Sequence, residues 1–132
     1  LARVSEDLSR LDDVMGELKR ELTQLMERAV KSGIAEDHIV LDPGIGFAKN
    51  ASHNLTVLRH LDALRALGRP LLVGPSRKRF IGDITGAAVE DRLPGTLAAV
   101  TACVMAGANI VRVHDVGPAR QAALVARAIR EA

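Results

Sequence analysis

The sequence predicts an α/β fold in which short parallel strands alternate with helices. Three apolar runs have the composition of buried strands, at residues 39–41, 71–73 and 109–115. Four longer segments carry apolar residues at helical spacing, at residues 4–32, 53–67, 95–107 and 117–132. The strand starts are separated by the roughly 30 or more residues of a βαβ unit. This alternation indicates parallel strands whose faces are covered by helices.

Local signals predict where these helices begin and end. The first helix is expected to begin near Asp12 or Asp13, either of which can cap it, and to end at Gly33. Pro118 suits the first turn of the last helix, because no backbone N–H is needed there. The longest irregular stretch is expected at residues 82–94, as a mobile loop that leads into the third helix.

The composition limits the classes of partner. The 132 residues suffice for one domain, and a hydrophobic content of 48% allows a sizeable core. Aromatic residues make up 2%, without Trp or Tyr, which argues against a stacking surface for single-stranded nucleic acid. The formal net charge of +2 is too small to imply a general polyanion partner. We therefore expect no nucleic-acid partner.

The cysteine content indicates the cellular compartment, and the first residue bears on whether the sequence is a whole protein. Cys103 is the single cysteine, which excludes a disulfide framework and indicates a cytoplasmic protein. It lies in an apolar segment, so a buried core thiol is expected rather than a nucleophile. No apolar run approaches the roughly 20 residues of a membrane span, and no signal peptide is visible. Because the chain starts at Leu1 without Met, we expect part of a longer protein.

Each expected strand ends in polar or charged side chains. Asp42 follows the first strand, the sequence SRKR at residues 76–79 follows the second, and Arg112, His114 and Asp115 belong to the end of the third. Three adjacent cations beside a buried strand end require a partner, since they repel one another. In parallel sheets and barrels, ligands bind at the carboxyl ends of the strands. The three clusters are therefore expected to converge on one site.

In the predicted third strand, successive side chains point to opposite sides. Arg112 and His114 are two residues apart and point to one side, whereas Val111 and Val113 point to the other, towards the helices. A guanidinium offers a planar fork for phosphate or carboxylate oxygens, and an imidazole can donate from either ring nitrogen. The pair suits a phosphate-like group. The alternative is that Arg112 pairs with a carboxylate within the fold.

Asp42 allows two interpretations. A carboxylate at a strand end can accept two N–H bonds from a ligand edge, such as an amino group beside a ring N–H. It can equally close an Asx turn or cap a helix, which is common before Pro-Gly. Gly44 and Gly46 permit close approach of the backbone to a flat ligand.

Three ordered segments carry a family resemblance. LDPGIGFAKN, LLVGPSRKRFIG and GANIVRVHDV resemble the last three strands of dihydropteroate synthase, and GTLAAVTACVMAGA resembles the helix between the last two. The resemblance implies that residues 1–132 are the C-terminal portion of a single pterin-binding TIM (β/α)8 barrel, with about three parallel strands and four helices. It also implies a transferase of folate biosynthesis. That enzyme condenses 4-aminobenzoate with (7,8-dihydropterin-6-yl)methyl diphosphate, releases pyrophosphate, and is the target of sulfonamides.

The resemblance assigns the residues that hold the pterin diphosphate. It implies that Asp42 holds the amino and ring N–H edge of the pterin, and that Lys78 reaches its oxo group and ring atoms. Arg112 would lie against the pterin and help to hold anionic oxygens, and His114 would bind pyrophosphate with it. Lys78, Arg112 and His114 are thereby the implied catalytic residues.

The resemblance also places the second substrate. Ser76 and Arg77 would line the aminobenzoate pocket, with Gly46 and Phe47 nearby. Lys78 is expected to point inward at the pterin, whereas Arg79 is expected to face solvent or a neighbouring helix.

Further partners follow from the same resemblance. Mg²⁺ belongs with the pyrophosphate, and its protein ligand is expected from an N-terminal half that these residues do not include. No His, Cys or carboxylate grouping here has zinc spacing, so no metal ligand is expected in this chain. The complete protein is expected to be a cytoplasmic homodimer without a membrane partner. The chain alone is expected to be inactive, since it holds too few strands to close a barrel.

Three other interpretations stay open from the sequence. A methyltetrahydrofolate-using methyltransferase domain would keep an Asp like Asp42, but would not need SRKR or the Arg112/His114 pair. A non-catalytic pterin-binding paralogue would bind without turnover. A localisation or nucleic-acid role for SRKR would require steeply salt-dependent binding, against which the balanced charge argues.

Overall fold

The computed structural model describes residues 2–47 and 50–132. The helices are α1 (Ala2–Lys31), α2 (Ala51–Arg59), α3 (Arg79–Thr85), α4 (Leu93–Met105) and α5 (Val116–Arg130). The strands are β1 (Leu72–Val73) and β2 (Ile110–Val111), and 3₁₀ segments occupy Glu36–His38, Leu61–Leu67 and Val89–Asp91. The predicted alternation of helices with parallel strands is therefore present.

The strands form a small parallel sheet with β1 in the middle. Leu72 pairs with Ile110, and Val73 pairs with Val111. On the other side, Leu41 forms a parallel bridge to Leu71, and Leu72 N–H donates to the Leu41 carbonyl at 2.8 Å. The three chain segments therefore run in one direction, and the residues that follow them meet at one edge.

The first predicted strand, at residues 39–41, contributes only the bridge at Leu41. The side chain of Arg69 explains the shortening. Its Nε donates to the Ile39 carbonyl at 3.1 Å, and its Nη2 donates to the Asp37 carbonyl at 3.0 Å. These carbonyls therefore bond to a guanidinium in place of a neighbouring strand.

Two apolar clusters cover the sheet. The larger one combines residues of α1, α2, the sheet and α3, and Leu71 and Val73 are fully buried within it. The smaller one joins α4 to α5, and Val111 and Val113 pack against it. The third strand is shorter than the predicted residues 109–115, because β2 ends at Val111 and residues 112–115 follow it outside the sheet. Val111 and Val113 pack against the helices, as the parity argument expected.

Helix α1 is longer than predicted. It begins at Ala2, so neither Asp12 nor Asp13 caps it. The physical reason is in the sequence, because residues 2–15 contain no Gly or Pro and continue the apolar spacing of the rest of the helix. The helix ends at Lys31, just before the predicted Gly33.

The second predicted helix, at residues 53–67, is two elements. α2 begins earlier, at Ala51, because the Asn50 side chain caps it by accepting the His53 N–H at 2.8 Å. The backbone leaves helical geometry at His60, with φ −118° and ψ 26°, and continues as a 3₁₀ segment. The regular leucine spacing therefore spans a change of helix type.

The stretch at residues 82–94 was expected to be a mobile loop that leads into the next helix. The helix start is confirmed at Leu93, but the loop prediction was wrong for residues 82–85 and 89–91. The stretch contains the end of α3, a 3₁₀ segment and the start of α4. Phe80 and Ile81 anchor α3, since both are buried. A Cβ on Gly95 would approach Ile81 to 2.4 Å, so the absence of a side chain lets α4 pack closely against α3. Seven residues are too few for helical periodicity to reveal α3 in the sequence.

Cys103 lies in the core, as expected. Its side chain is inaccessible to solvent, and burial raises the pKa of its thiol to about 12. The structure thus gives it a packing role. In the part of the chain that the structure describes, no helix is both long and apolar enough to span a membrane.

Candidate active site

A cavity of about 310 Å³ opens at the edge of the sheet where the three chain segments end. Its lining comprises Asp42, Ile45, Phe47, Gly74, Ser76, Lys78, Arg112, Val113 and His114. The structure therefore brings together six residues that the sequence singled out, from all three polar clusters. Two permanent cations and one carboxylate line the same space, which suits a ligand with an anionic part and a hydrogen-bonding heterocyclic edge.

Asp42 combines the two interpretations that its sequence allowed. Its Oδ1 accepts the Gly44 N–H at 2.8 Å, which is the bond of an Asx turn. The side chain also lines the cavity. The turn holds the carboxylate in place through one oxygen, so a ligand can be recognised through the other.

Lys78 is held against the loop that follows Asp42. Its Nζ lies 4.6 Å from the centroid of the Phe47 ring, within cation–π range. Gly46 has φ +88°, and a Cβ there would lie 3.0 Å from Lys78 Cδ. Asn54 fixes the same loop from behind, since its Oδ1 accepts the Gly46 N–H at 2.9 Å and its side chain is buried. Gly46 therefore makes room for the lysine stem.

Ser76 and His114 are in direct contact. Ser76 Oγ lies 2.7 Å from His114 Nδ1, and the His114 backbone N–H donates to the same Oγ at 3.2 Å. Ser76 is 4% exposed, so its hydroxyl is almost closed to solvent. The hydroxyl thus orients the imidazole at the cavity wall.

Arg112 lines the cavity and is exposed. Its backbone N–H donates to the Val73 carbonyl at 2.9 Å, which fixes its main chain beside β1. Within residues 13–47 and 50–132, its guanidinium has neither an ion pair nor a hydrogen bond. The internal carboxylate partner considered from the sequence is therefore not found in that part of the chain. The guanidinium fork is available to an anionic ligand.

Arg77 is placed differently from its neighbours. Its φ is 56°, a left-handed conformation that is uncommon outside glycine. Its N–H donates to Thr96 Oγ1 at 3.0 Å, and its carbonyl accepts from Arg92 Nη1 at 3.0 Å. Its Nη2 donates to both carboxylate oxygens of Asp115 at 3.1 Å. Backbone and side chain are therefore both fixed by the protein.

A second depression, of about 600 Å³, lies on the other side of Lys78. Gly46, Asn54, Arg77 and Lys78 are among the residues that line it. Of the eight predicted site residues, Gly46 and Arg77 border this depression rather than the first cavity. Lys78 lines both, so it stands between two adjoining spaces.

Arg79 differs from the other two cations of the SRKR turn. Its side chain is 92% exposed and makes only a loose pair with Asp83, at 3.8 Å. The turn therefore divides its charges. Lys78 enters the cavity and Arg77 pairs with Asp115, whereas Arg79 extends into solvent at the border of the second depression.

Sequence reasoning missed the residues that hold the site from behind. Asn54 is buried on α2 beside Val57 and Leu58, and Thr96 is buried on α4 in line with Val100. A polar residue on the apolar face of a helix was the available signal, since buried polar groups need a partner. No such signal marked Arg92, because the Arg77 carbonyl that it bonds comes close to it only in the folded chain.

The described residues do not assemble a metal site of their own. No group of three or more His, Cys, Asp or Glu side chains within that part of the chain is placed to hold an ion. Asp42 is the carboxylate among the residues of the first cavity.

Comparison with known proteins gives one consistent result. A family model described as pterin binding enzyme matches residues 2–114. A dihydropteroate synthase from Synechocystis is 44% identical over 125 residues, which cover 94% of this chain and 43% of that protein. The chain thus spans less than half the length of this relative.

Solved structures agree with the sequence comparison. The Yersinia pestis dihydropteroate synthase in a sulfonamide drug complex superposes with a TM-score of 0.88 at 40% identity, covering 91% of this chain and 48% of that one. A Coxiella burnetii dihydropteroate synthase in complex with pteroic acid gives a TM-score of 0.87 at 40% identity, covering 89% and 45%. These neighbours are TIM-barrel enzymes. The small parallel sheet of this chain and its helices superpose on part of that fold. The chain therefore belongs to the family of pterin-binding enzymes.

Proposed function

We propose that this chain supplies the C-terminal part of a dihydropteroate synthase, a transferase of folate biosynthesis. The observation that carries the proposal is the shared cavity of Asp42, Lys78, Arg112 and His114 at the strand ends. The similarity to dihydropteroate synthases at 40% and 44% identity supports it. The substrates are (7,8-dihydropterin-6-yl)methyl diphosphate and 4-aminobenzoate, and the products are dihydropteroate and pyrophosphate.

The first cavity is proposed to take the pterin diphosphate. Asp42 accepts N–H bonds from the amino and ring N–H edge of the pterin, and Lys78 donates to its oxo group and ring atoms. Arg112 and His114 donate to the diphosphate oxygens. This division uses the one carboxylate for the donor-rich edge, Lys78 for the acceptor atoms of the ring, and Arg112 with His114 for the anionic part.

The reaction requires charge stabilisation more than proton transfer. As the carbon–oxygen bond breaks, both electrons leave with pyrophosphate, and Arg112 and His114 stabilise the charge that develops on it. The pterin spreads the positive charge of the methylene carbon, with Asp42 orienting the ring. The amine nitrogen of 4-aminobenzoate then forms the new carbon–nitrogen bond and loses one proton. Positioning supplies much of the remaining acceleration.

The second depression is proposed to take 4-aminobenzoate. It shares Lys78 with the first cavity, which supports a placement of the amine next to the pterin substrate. Gly46 and Arg77 border it, and Phe47 lies against Lys78 at the boundary. The sulfonamide complex of the Yersinia pestis enzyme supports the proposal that the complete protein is a sulfonamide target.

Mg²⁺ is proposed to accompany the pyrophosphate, where it would offset negative charge on the phosphate oxygens. Among residues 2–47 and 50–132 no ligand set fits it, because the first cavity offers cations and a single carboxylate. Its protein ligand is proposed to come from outside these residues. The steps assigned above to Arg112, His114 and Lys78 do not pass through the ion.

The 132 residues alone are proposed to be inactive, since the remaining strands of an eight-stranded barrel would be needed to close the site. The purified chain should form no dihydropteroate, and measurable turnover would overturn this. The complete protein is proposed to be a cytoplasmic homodimer. Three exposed apolar residues of α5, Leu124, Val125 and Ile129, support a protein contact on that helix. Sedimentation velocity would detect the dimer.

The decisive experiment uses the full-length polypeptide that carries these residues. Wild-type protein should form dihydropteroate from both substrates with Mg²⁺. Arg112→Ala and His114→Ala should each lower kcat/KM roughly 100-fold, because each removes a donor to the leaving group. Arg59→Ala is a matched control, since this exposed arginine at the end of α2 lines neither the cavity nor the second depression.

The outcomes separate the alternatives. Pterin binding without turnover would indicate a non-catalytic paralogue. Methyl transfer from methyltetrahydrofolate would indicate the methyltransferase class, although the unpaired Arg112 beside His114 favours an anionic leaving group. The absence of both turnover and pterin binding would overturn the proposed function.

A further inference from the structure

We propose that Ser76 is a positioning residue that holds neutral His114 in the tautomer with its proton on Nε2. The ring then presents an N–H donor at Nε2 without having to be protonated. The inference rests on the proposed function for the identity of the acceptor, a diphosphate oxygen. The placement of the proton rests on the geometry alone.

The hydroxyl of Ser76 has one proton to give and two lone pairs to accept with. One lone pair takes the His114 backbone N–H, at 3.2 Å. The 2.7 Å contact between Ser76 Oγ and His114 Nδ1 is a second hydrogen bond. It can run in either direction, and the direction determines the tautomer.

Burial of Ser76 decides the direction. If Nδ1–H donated to Oγ, the hydroxyl would accept twice and its own proton would need another acceptor. Ser76 is 4% exposed, and the described residues provide Oγ with no partner other than His114. A buried hydroxyl proton without an acceptor costs about 1–3 kcal/mol. The hydroxyl therefore donates to a bare Nδ1, and the proton of the neutral ring resides on Nε2.

The position of Ser76 is itself fixed by its neighbour. The Arg77 peptide is held on both sides, by Thr96 Oγ1 and by Arg92 Nη1. The Arg77 side chain bonds Asp115, which follows His114. Two adjacent contacts, Ser76 to His114 and Arg77 to Asp115, therefore lock the two turns together. Rotation of the Ser76 side chain itself would break both of its contacts with His114.

The tautomer makes a distinct prediction about pH. A cationic imidazole carries protons on both nitrogens, so it donates from Nε2 whatever Ser76 does. Only the neutral ring needs Ser76 to keep the proton on Nε2. The charged groups nearby are Arg112 and Asp115 on the same segment, and Asp42 and Lys78 across the cavity. Those charges do not depend on the Ser76 hydroxyl, and the protonation of His114 itself is followed in each variant by NMR.

The direct test is ¹⁵N NMR of the histidine side chains in the full-length protein, with His114→Gln to assign the resonances. At a pH where the ring is neutral, wild type should show a non-protonated Nδ1 and a protonated Nε2. Ser76→Ala should shift the population towards Nδ1–H, whereas Ser76→Thr, which keeps a hydroxyl, should preserve the wild-type pattern. A protonated Nδ1 in wild type would overturn the inference.

Pyrophosphate binding supplies a second readout by calorimetry. Ser76→Ala should weaken binding roughly tenfold where His114 is neutral and by much less where it is cationic, as expected for one lost hydrogen bond. Ser32→Ala is the control, because this exposed hydroxyl bonds the Arg28 carbonyl on α1. An equal loss at both pH values would indicate a merely structural Ser76 and overturn the inference. A normal tautomer in a protein without synthase activity would instead overturn only the proposed function.

Discussion

The Arg77 guanidinium nitrogen Nη2 lies 3.1 Å from each carboxylate oxygen of Asp115. The pair connects the turn after β1 with the turn before α5, beside the contact between Ser76 and His114. Two successive residues of one turn thus bond two successive residues of the other. The cavity wall and the border of the second depression are therefore parts of one assembly.

This pair leads to the first prediction. In the full-length protein, Asp115→Ala should raise KM for 4-aminobenzoate several-fold, because Arg77 loses the anchor that orients it at the depression proposed to hold that substrate. KM for the pterin diphosphate should change less. The stability change should be about 1 kcal/mol or less, since both side chains are about a third exposed, at 37% and 30%. Steady-state kinetics and urea unfolding measure these effects.

The matched control is Glu131→Ala, which removes another arginine–carboxylate contact of 3.1 Å, to Arg127. It should leave both KM values unchanged. An unaltered KM for 4-aminobenzoate in Asp115→Ala would show that the pair has no influence on the second substrate.

The adjacent cations of the SRKR turn should differ sharply in effect. Lys78→Ala should lower kcat/KM roughly 100-fold, because Lys78 lines both spaces and is proposed to contact the pterin. Arg79→Ala should lower it by a few-fold at most, since its side chain is 92% exposed and only loosely paired. Initial-rate measurements compare the two, and equal losses would contradict the division.

The sequence alone was sufficient to predict which residues after the strands line the site. Asp42, Ser76, Lys78, Arg112 and His114 were predicted to converge because parallel strands place their ends at one edge, and the structure lines one cavity with all of them. That inference needed only strand direction and parity, which are properties of the local sequence.

The remaining features depend on tertiary contacts between distant parts of the chain. The pairing of Arg77 with Asp115 spans 38 residues, and Arg77 makes it from a left-handed backbone conformation. Helix α3 is held by burial of Phe80 and Ile81 rather than by a long periodic pattern. Local periodicity reveals neither the Arg77–Asp115 pair nor a helix as short as α3. The sequence therefore predicted a loop where the end of α3 lies.

Thr96 should be needed for the shape of the SRKR turn. Thr96→Val keeps the side-chain volume but leaves the Arg77 N–H without its acceptor, which should lower the free energy of unfolding by about 1–3 kcal/mol. Thr101→Val is the control on the same helix, where the hydroxyl bonds the Leu97 carbonyl and is only partly buried. It should change stability by about 0.5 kcal/mol or less. Urea denaturation of both variants measures the difference, and equal effects would refute it.

Cys103 should make stability fall at alkaline pH. Burial raises the pKa of its thiol from 9.0 to about 12, so the folded thiol stays protonated where the unfolded one ionises. Because the unfolded state then binds fewer protons, stability falls as pH rises above 9 and continues to fall until about 12. Cys103→Ala should reduce this slope in urea unfolding measured against pH. An unchanged slope would contradict the assignment.

The last prediction separates backbone strain from contact at Gly46. Gly46→Ala places a Cβ at φ +88° and 3.0 Å from Lys78 Cδ, whereas Gly33→Ala places one at φ +98° with nothing within 4 Å. Both variants should lose about 1–2 kcal/mol of stability, since both force a side chain into left-handed backbone. Only Gly46→Ala should also displace Lys78 and lower kcat/KM. Calorimetric unfolding and steady-state kinetics on the same preparations measure both effects. If the two variants lost equal activity, the close approach of Lys78 to Gly46 would have no functional role.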